Sequence, residues 1–140
     1  MNGILSAGLM MIALAPWPAS AVELACPKTP PSHDWQGFRL EPSQIRLLRE
    51  DEAPKSLGAV AGVSVFDGSP TEMADLVPDN PDSLGKAPVV WNFSDDMKRS
   101  VWIVCRYRKS TIAFGKALPP GVRTCSVEGR PGRSFKIQCK

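Results

Sequence analysis

Apolar residues alternate along the last third of the chain. Val89, Trp91 and Phe93 share one side; Val101, Ile103, Cys105 and Tyr107 the next; then Ile112, Phe114 and Leu118; then Phe135, Ile137 and Cys139. A period of two marks strands that bury one face. The links "SDDMKR", "RKS", "LPPG" and "EGRPGR" hold turn-forming residues. Links that short predict antiparallel neighbours and a C-terminal meander of four or five strands. Earlier, "AVAGVSVFDG" at 59–68 sets Ala61, Val63 and Val65 on one face and stops at an Asp-Gly turn signal. "SPTEMADLVPD" follows, with Ser69 as N-cap, Pro70 at the first helical position and Glu72 completing a capping box. This predicts a short helix with Met73, Leu76 and Val77 on one side, stopped by Pro78. Residues 35–40 suggest a first short strand, and "PSQIRLLREDEAPKS" has room for one helical turn. Residues 26–31 read as an extended proline-rich lead-in.

The first residues differ from all of this. "MNGILSAGLMMIALAPWPASA" has an apolar run from Ile4 to Leu14, breakers at Pro16 and Pro18, and a small-x-small end at Ala19-Ser20-Ala21. That is the layout of a secretory signal peptide over 1–21, leaving a single exported domain at 22–140. The run is about a dozen residues where a membrane span needs about 20, so the chain is not expected to span a membrane. Twelve of the 14 prolines and nine of the 11 glycines fall after Ala21. Proline lacks a backbone donor and glycine costs entropy in regular structure, so short strands and turns are favoured over long helices. The expected fold is all-β or β-dominated, a small antiparallel barrel or sandwich with at most one or two short helices.

Four cysteines, Cys26, Cys105, Cys125 and Cys139, lie in the exported part. An even number in a small exported chain implies two disulfides, formed in the periplasm or outside the cell. If "RKS" and "LPPG" are both simple turns, Cys125 lies two strands from Cys105. That is roughly 9 to 10 Å, beyond the roughly 7 Å a disulfide allows between Cα atoms. A Cys105–Cys125 bond would need the third strand to fold onto another layer, which Pro119-Pro120-Gly121 permits; otherwise Cys26 reaches Cys105 or Cys125. All three connectivities stay open. "ELAC" also resembles the end of a lipoprotein signal, although Glu23 stands where an aliphatic residue is wanted and a lipidated Cys26 would leave an odd cysteine.

Charge divides along the same boundary as pattern. Residues 41–96 hold 11 acids and four bases; residues 98–140 hold 11 bases and Glu128 as the one acid; the whole chain carries +3. Either the halves pack together and compensate, or one sheet face is a basic surface for an acidic partner. Arg106 and Arg108 share the side opposite Cys105, beside Trp102, so those three residues mark the candidate binding surface. An exported protein does not meet intracellular nucleic acid, which leaves an envelope protein or an anionic envelope polymer as partner.

Groups for catalysis are sparse. The one histidine, His33, precedes Asp34 in a polar stretch, and any Ser-His-Asp or Cys-His arrangement would have to use it. Asp95-Asp96 and Glu50-Asp51-Glu52 are carboxylate groups of the kind a hydrolase uses, but both sit in charged, turn-like segments. "PDNPDS", with Asp79 and Asp82, lacks the glycine and terminal glutamate of an EF-hand. No glycine-rich loop joins a strand to a helix, so no nucleotide cofactor is implied. Cysteine gaps of 79, 20 and 14 residues give no close pair, which argues against both a zinc site and a thioredoxin-type redox site.

The chain resembles a family of short exported proteins of Gram-negative bacteria that has no assigned active site. The likeness rests on an early Cys26-Pro27, "GVSVFDGSP" followed by "LVPD", then "VWIVCRY", "ALPPGVRTC" and a final cysteine near the end. It implies export and a small cysteine-paired domain. In size and expected architecture the chain is also similar to periplasmic lysozyme inhibitors, which are disulfide-bonded β-barrels. The expectation is therefore a non-catalytic binding module of the cell envelope, with a carboxylate-dependent secreted hydrolase or a lysozyme-inhibitor-like protein as alternatives.

Overall fold

A computed structural model describes residues 21–31, 33–81, 88–93, 99–130 and 132–140. The expected signal segment up to residue 20, Asp82 and Asp95-Asp96 lie outside the described residues. The strands are β1 (Val22–Ala25), β2 (Gln36–Glu41), β3 (Gln44–Leu47), β4 (Val60–Asp67), β5 (Val89–Asn92), β6 (Val101–Tyr107), β7 (Ile112–Ala117), β8 (Thr124–Glu128) and β9 (Lys136–Cys139). They form two antiparallel sheets, β1-β9-β8-β5 and β3-β2-β7-β6-β4. The protein is β-dominated, as the pattern predicts, and its helical parts include single 3-10 turns at Glu50–Glu52 and Pro70–Glu72.

The meander is not what forms. β6–β7 and β8–β9 are hairpins, but β5 pairs with β8 and β4 with β6, so the C-terminal strands are shared between the two layers. The Leu118 N–H donates the last bond back to Val101 O at 2.8 Å. Pro119 and Pro120 then have no N–H to offer a ladder, so the chain crosses to the other sheet instead of doubling back along β7. Ahead of Cys26, where the sequence pattern marks no element, the chain forms a strand. β1 pairs along its whole length with β9, from Val22 opposite Cys139 to Ala25 opposite Lys136.

Residues that alternate in sequence meet between the sheets. Val65, Ile103, Cys105, Tyr107 and Phe114 of one layer pack on Trp91, Cys125, Val127, Ile137 and Cys139 of the other, all at most 6% exposed. The five-stranded sheet has a second apolar cluster on its opposite face: Phe66, Val104 and Ala113, with Leu40, Ile45 and Trp102. Fully buried Phe38 meets Trp102 edge to face with ring centroids 5.8 Å apart. The sheet curls far enough for the Pro70–Glu72 turn to touch β3. Gly115 is what lets the strands approach here, since a Cβ would stand 3.0 Å from the Phe38 ring and 3.3 Å from Val104.

Both disulfides form, as Cys26–Cys105 and Cys125–Cys139. The first ties the segment after β1 to the middle of β6 and so staples one sheet to the other, with Cα atoms 5.8 Å apart. The second joins residues directly opposite on β8 and β9, Cα atoms 4.1 Å apart. The Cys26 sulfur is taken up by the bond to Cys105, and cleavage directly before Cys26 would remove β1. Nearby, the Tyr107 hydroxyl donates to Pro27 O at 2.6 Å, and burial pushes its pKa up to about 12.

The acidic run becomes a clamp. The Glu52 carboxylate accepts from Arg39 Nε at 2.8 Å, from both Arg46 terminal nitrogens at 2.7 and 2.8 Å, and from Arg49 Nε at 3.0 Å. Arg46 above all holds its pKa well below the usual carboxylate range. A carboxyl that ionises more easily when folded stabilises the fold above its unfolded pKa and loses that contribution as pH falls through the folded one. Glu52→Gln should therefore lower the urea midpoint at neutral pH, and its difference from the parent should shrink steadily as pH drops below about 4.5, the ordinary glutamate value. A difference independent of pH would refute the ion-pair account.

Candidate functional site: the open edge of the sandwich

β4 and β5 are edge strands of their respective sheets, and the chain between them builds the site. Ser69 Oγ accepts from the Thr71 N–H, buried Pro70 opens the 3-10 turn, and Met73 ends it in the left-handed region at φ 59°. The expected helix therefore does not continue. Once Met73 has turned, Ala74 to Leu76 run extended along β4: the Asp67 N–H donates to Ala74 O at 2.9 Å, the Leu76 N–H donates to Val65 O at 2.8 Å, and Asp75 bridges antiparallel to Phe66. The segment then leaves β4 for β5. Trp91 Nε1 donates to Leu76 O at 2.9 Å and the Asp79 N–H to Val90 O at 2.8 Å. The Asp79 carboxylate accepts from both the backbone and the side chain of Asn92. Asp79, first considered as part of a calcium loop, is thus a latch for this strap.

Two hollows flank the strap. One, about 280 Å³, lies between the sheet edges, with Ala61 to Ser64 on one wall and Val89, Trp91, Val127 and Phe135 behind. The other, about 390 Å³, opens on the second cluster at Leu40, Ile45, Phe66 and Val104. Ser64, Asp75 and Arg106 border both and form the ridge that divides them. Arg106 Nε donates to Ser64 Oγ at 3.0 Å, and its guanidinium lies across Gly62, where a Cβ would come within 2.5 Å of it. Partial desolvation raises the Asp75 pKa, and the nearby Arg106 charge opposes that rise. Met73 is 48% exposed beside one hollow and Val77 78% exposed beside the other.

The three residues singled out from sequence go to three different neighbours. Arg106 stands on the ridge. Trp102 is half-buried against Phe38 in the second cluster. Arg108, exposed, reaches Gly132 in the link between β8 and β9. There a third, shallow hollow of about 690 Å³ is bordered by Lys28 and Arg133. The sequence pattern places Met73 and Val77 on a helix face and gives Asp75 no role, whereas Met73 ends the turn and Asp75 and Val77 lie on the strap beyond it. The acid–apolar order of "MADLVPD" was the available signal.

Opposite charges scarcely meet across the chain. Arg39, Arg46 and Arg49 pair with Glu41, Asp51 and Glu52, all close in sequence or on adjacent strands. Among the described residues, Arg99–Glu72 at 2.6 Å is the ion pair joining the acidic middle to the basic end. Arg106, Arg108 and Arg133 have no carboxylate within ion-pair distance among those residues. His33 and Asp34 are both exposed, and no hydrogen bond or ion pair among the described residues ties one to the other. No helix among the described residues is long and apolar enough to cross a membrane.

The ridge thus offers an exposed cation, exposed apolar side chains and a free strand edge, a set suited to contact with another macromolecule. No curated protein and no solved structure matches the chain. The family model of the Type VI secretion system Tli immunity protein does match, over residues 52–140, from the end of the Glu50–Glu52 turn through β9. That span contains β4, the strap and the ridge residues, and the chain belongs to the Type VI secretion system Tli immunity protein family.

Proposed function

We propose that this chain is exported, loses residues 1–21, and as a 22–140 domain in the periplasm neutralises a toxin protein delivered by a type VI secretion system. It acts by occupying the toxin, without catalysing a reaction. The observation that carries this reading is the family match over 52–140. Two disulfides fit an oxidising compartment, and the exposed ridge fits a protein partner better than the anionic polymer considered from charge alone. The likeness to lysozyme inhibitors becomes one of physical type: a small stapled β domain that blocks an enzyme. Hydrolysis by a carboxylate finds little support at Glu50-Asp51-Glu52, where Glu52 is held by three arginines.

The test is a competition between a type VI-armed attacker and target cells lacking this gene. Complementation with the full chain should restore survival. A version without residues 1–21, retained in the cytoplasm, should not. Equal killing with and without the full chain would overturn the reading.

A further inference from the structure

We infer that the uncovered part of the β4 edge receives an extended segment of the partner protein, which adds as an antiparallel strand with acidic side chains toward Arg106 and apolar ones into the hollow between the sheets. This rests on the reading of the chain as a toxin binder.

The chain already shows the pairing in miniature. The strap joins this edge antiparallel at Phe66, through the Asp67 N–H and Val65 C=O. In a strand, alternate residues turn their N–H and C=O to the same side. Val63, two before Val65, therefore presents its pair outward too. The strap has departed for β5 by then, and among the described residues nothing bonds to that pair. At the far end the Gly132 N–H closes on Val60 O at 3.1 Å. Between these closures Ala61 to Ser64 form an open edge of roughly 13 Å at about 3.3 Å per residue. An unpaired edge of this kind is a template for another strand, and most proteins cover theirs.

The strap also indicates which side chains fit. Asp75 lies on the ridge near Arg106, while its neighbour Leu76 packs against the core between the sheets. A strand continuing the same line past Val63 meets the same alternation. Its inward residues face the hollow in front of Trp91, Val127 and Phe135, and its outward residues face the exposed guanidinium of Arg106. Arg106 has no carboxylate within ion-pair distance among the described residues, so an acidic residue on the incoming strand complements it.

The experiment uses the 22–140 domain and two probes: the toxin against which the chain protects, and a short peptide of alternating valine and glutamate, compared with its valine–lysine counterpart. Val63→Pro removes the outward donor at an edge position that proline tolerates. Arg106→Glu reverses an exposed charge and leaves the backbone alone. Each should weaken toxin binding roughly tenfold or more. In the parent domain the Val63 amide should exchange more slowly once toxin or the glutamate peptide is bound, and the lysine peptide should give no such protection. Toxin binding at parental affinity by both variants, with the Val63 amide exchanging as fast as in the free domain, would overturn the inference while leaving the immunity reading intact. If the parent fails to protect cells at all, the immunity reading falls, and the glutamate peptide alone decides the edge: slowed Val63 exchange sustains it and unchanged exchange sinks it.

Discussion

Replacing Cys26 and Cys105 together by alanine is expected to cost about 4.5 kcal/mol of folding stability, more than the loss of the other disulfide. The bond links residues 79 apart, and a cross-link that closes so long a loop removes much conformational freedom from the unfolded chain. Cys125 and Cys139 are 14 apart, for which the same reasoning gives about 3 kcal/mol. Position adds to the difference. Cys26–Cys105 holds one layer to the other, whereas Cys125–Cys139 reinforces two strands that already share a ladder. Against a typical total of roughly 5 to 15 kcal/mol, the first loss is about a third of the stability or more. Urea unfolding of the two double variants checks it, and an equal or larger effect at Cys125–Cys139 would refute the loop-closure argument.

The second large effect is expected at Phe38→Ala, about 3 to 5 kcal/mol. Phe38 is fully buried against Trp102 and over Gly115, on the face of the five-stranded sheet turned away from the main core. Truncation there opens a cavity that Gly115 has no side chain to fill. Trp102 fluorescence should shift toward that of a solvated indole, and the urea midpoint should fall. A loss below about 1 kcal/mol would mean that the second cluster contributes little to stability.

The contrast between Phe38 and Cys105 shows how far sequence carried. Cys105, with Val101 and Ile103, follows a period of two that places it inward, and there it lies. The same alternation put Trp102 and Arg106 on a face taken for open surface. The sheet curls, so Trp102 faces a second apolar cluster while Arg106, four residues on, remains exposed. Curvature of a sheet has no period in the residues that form it. Nor does a period of two name the sheet a strand joins, which is why β8 was assigned beside β7 rather than between β9 and β5. β1 is four residues, "VELA", whose strand character comes from its partner β9. At the ridge, Arg106 was legible as an exposed cation. Asp75 and Met73 were not, because the capping signals at Ser69 and Pro70 were real but supported one turn and no more.

The pairing of β1 with β9 has a consequence in time. The first strand after the expected cleavage site finds its neighbour in Lys136–Cys139, and Cys139 is also the partner of Cys125. The four-stranded layer therefore stays incomplete until the end of the chain has been delivered, whether by the ribosome or through a membrane. Contacts between the two ends of a chain slow folding, because a long loop must close before they form. A chain built this way cannot lock its four-stranded layer from one end alone, and the Cys125–Cys139 bond and the last strand pairing become available together.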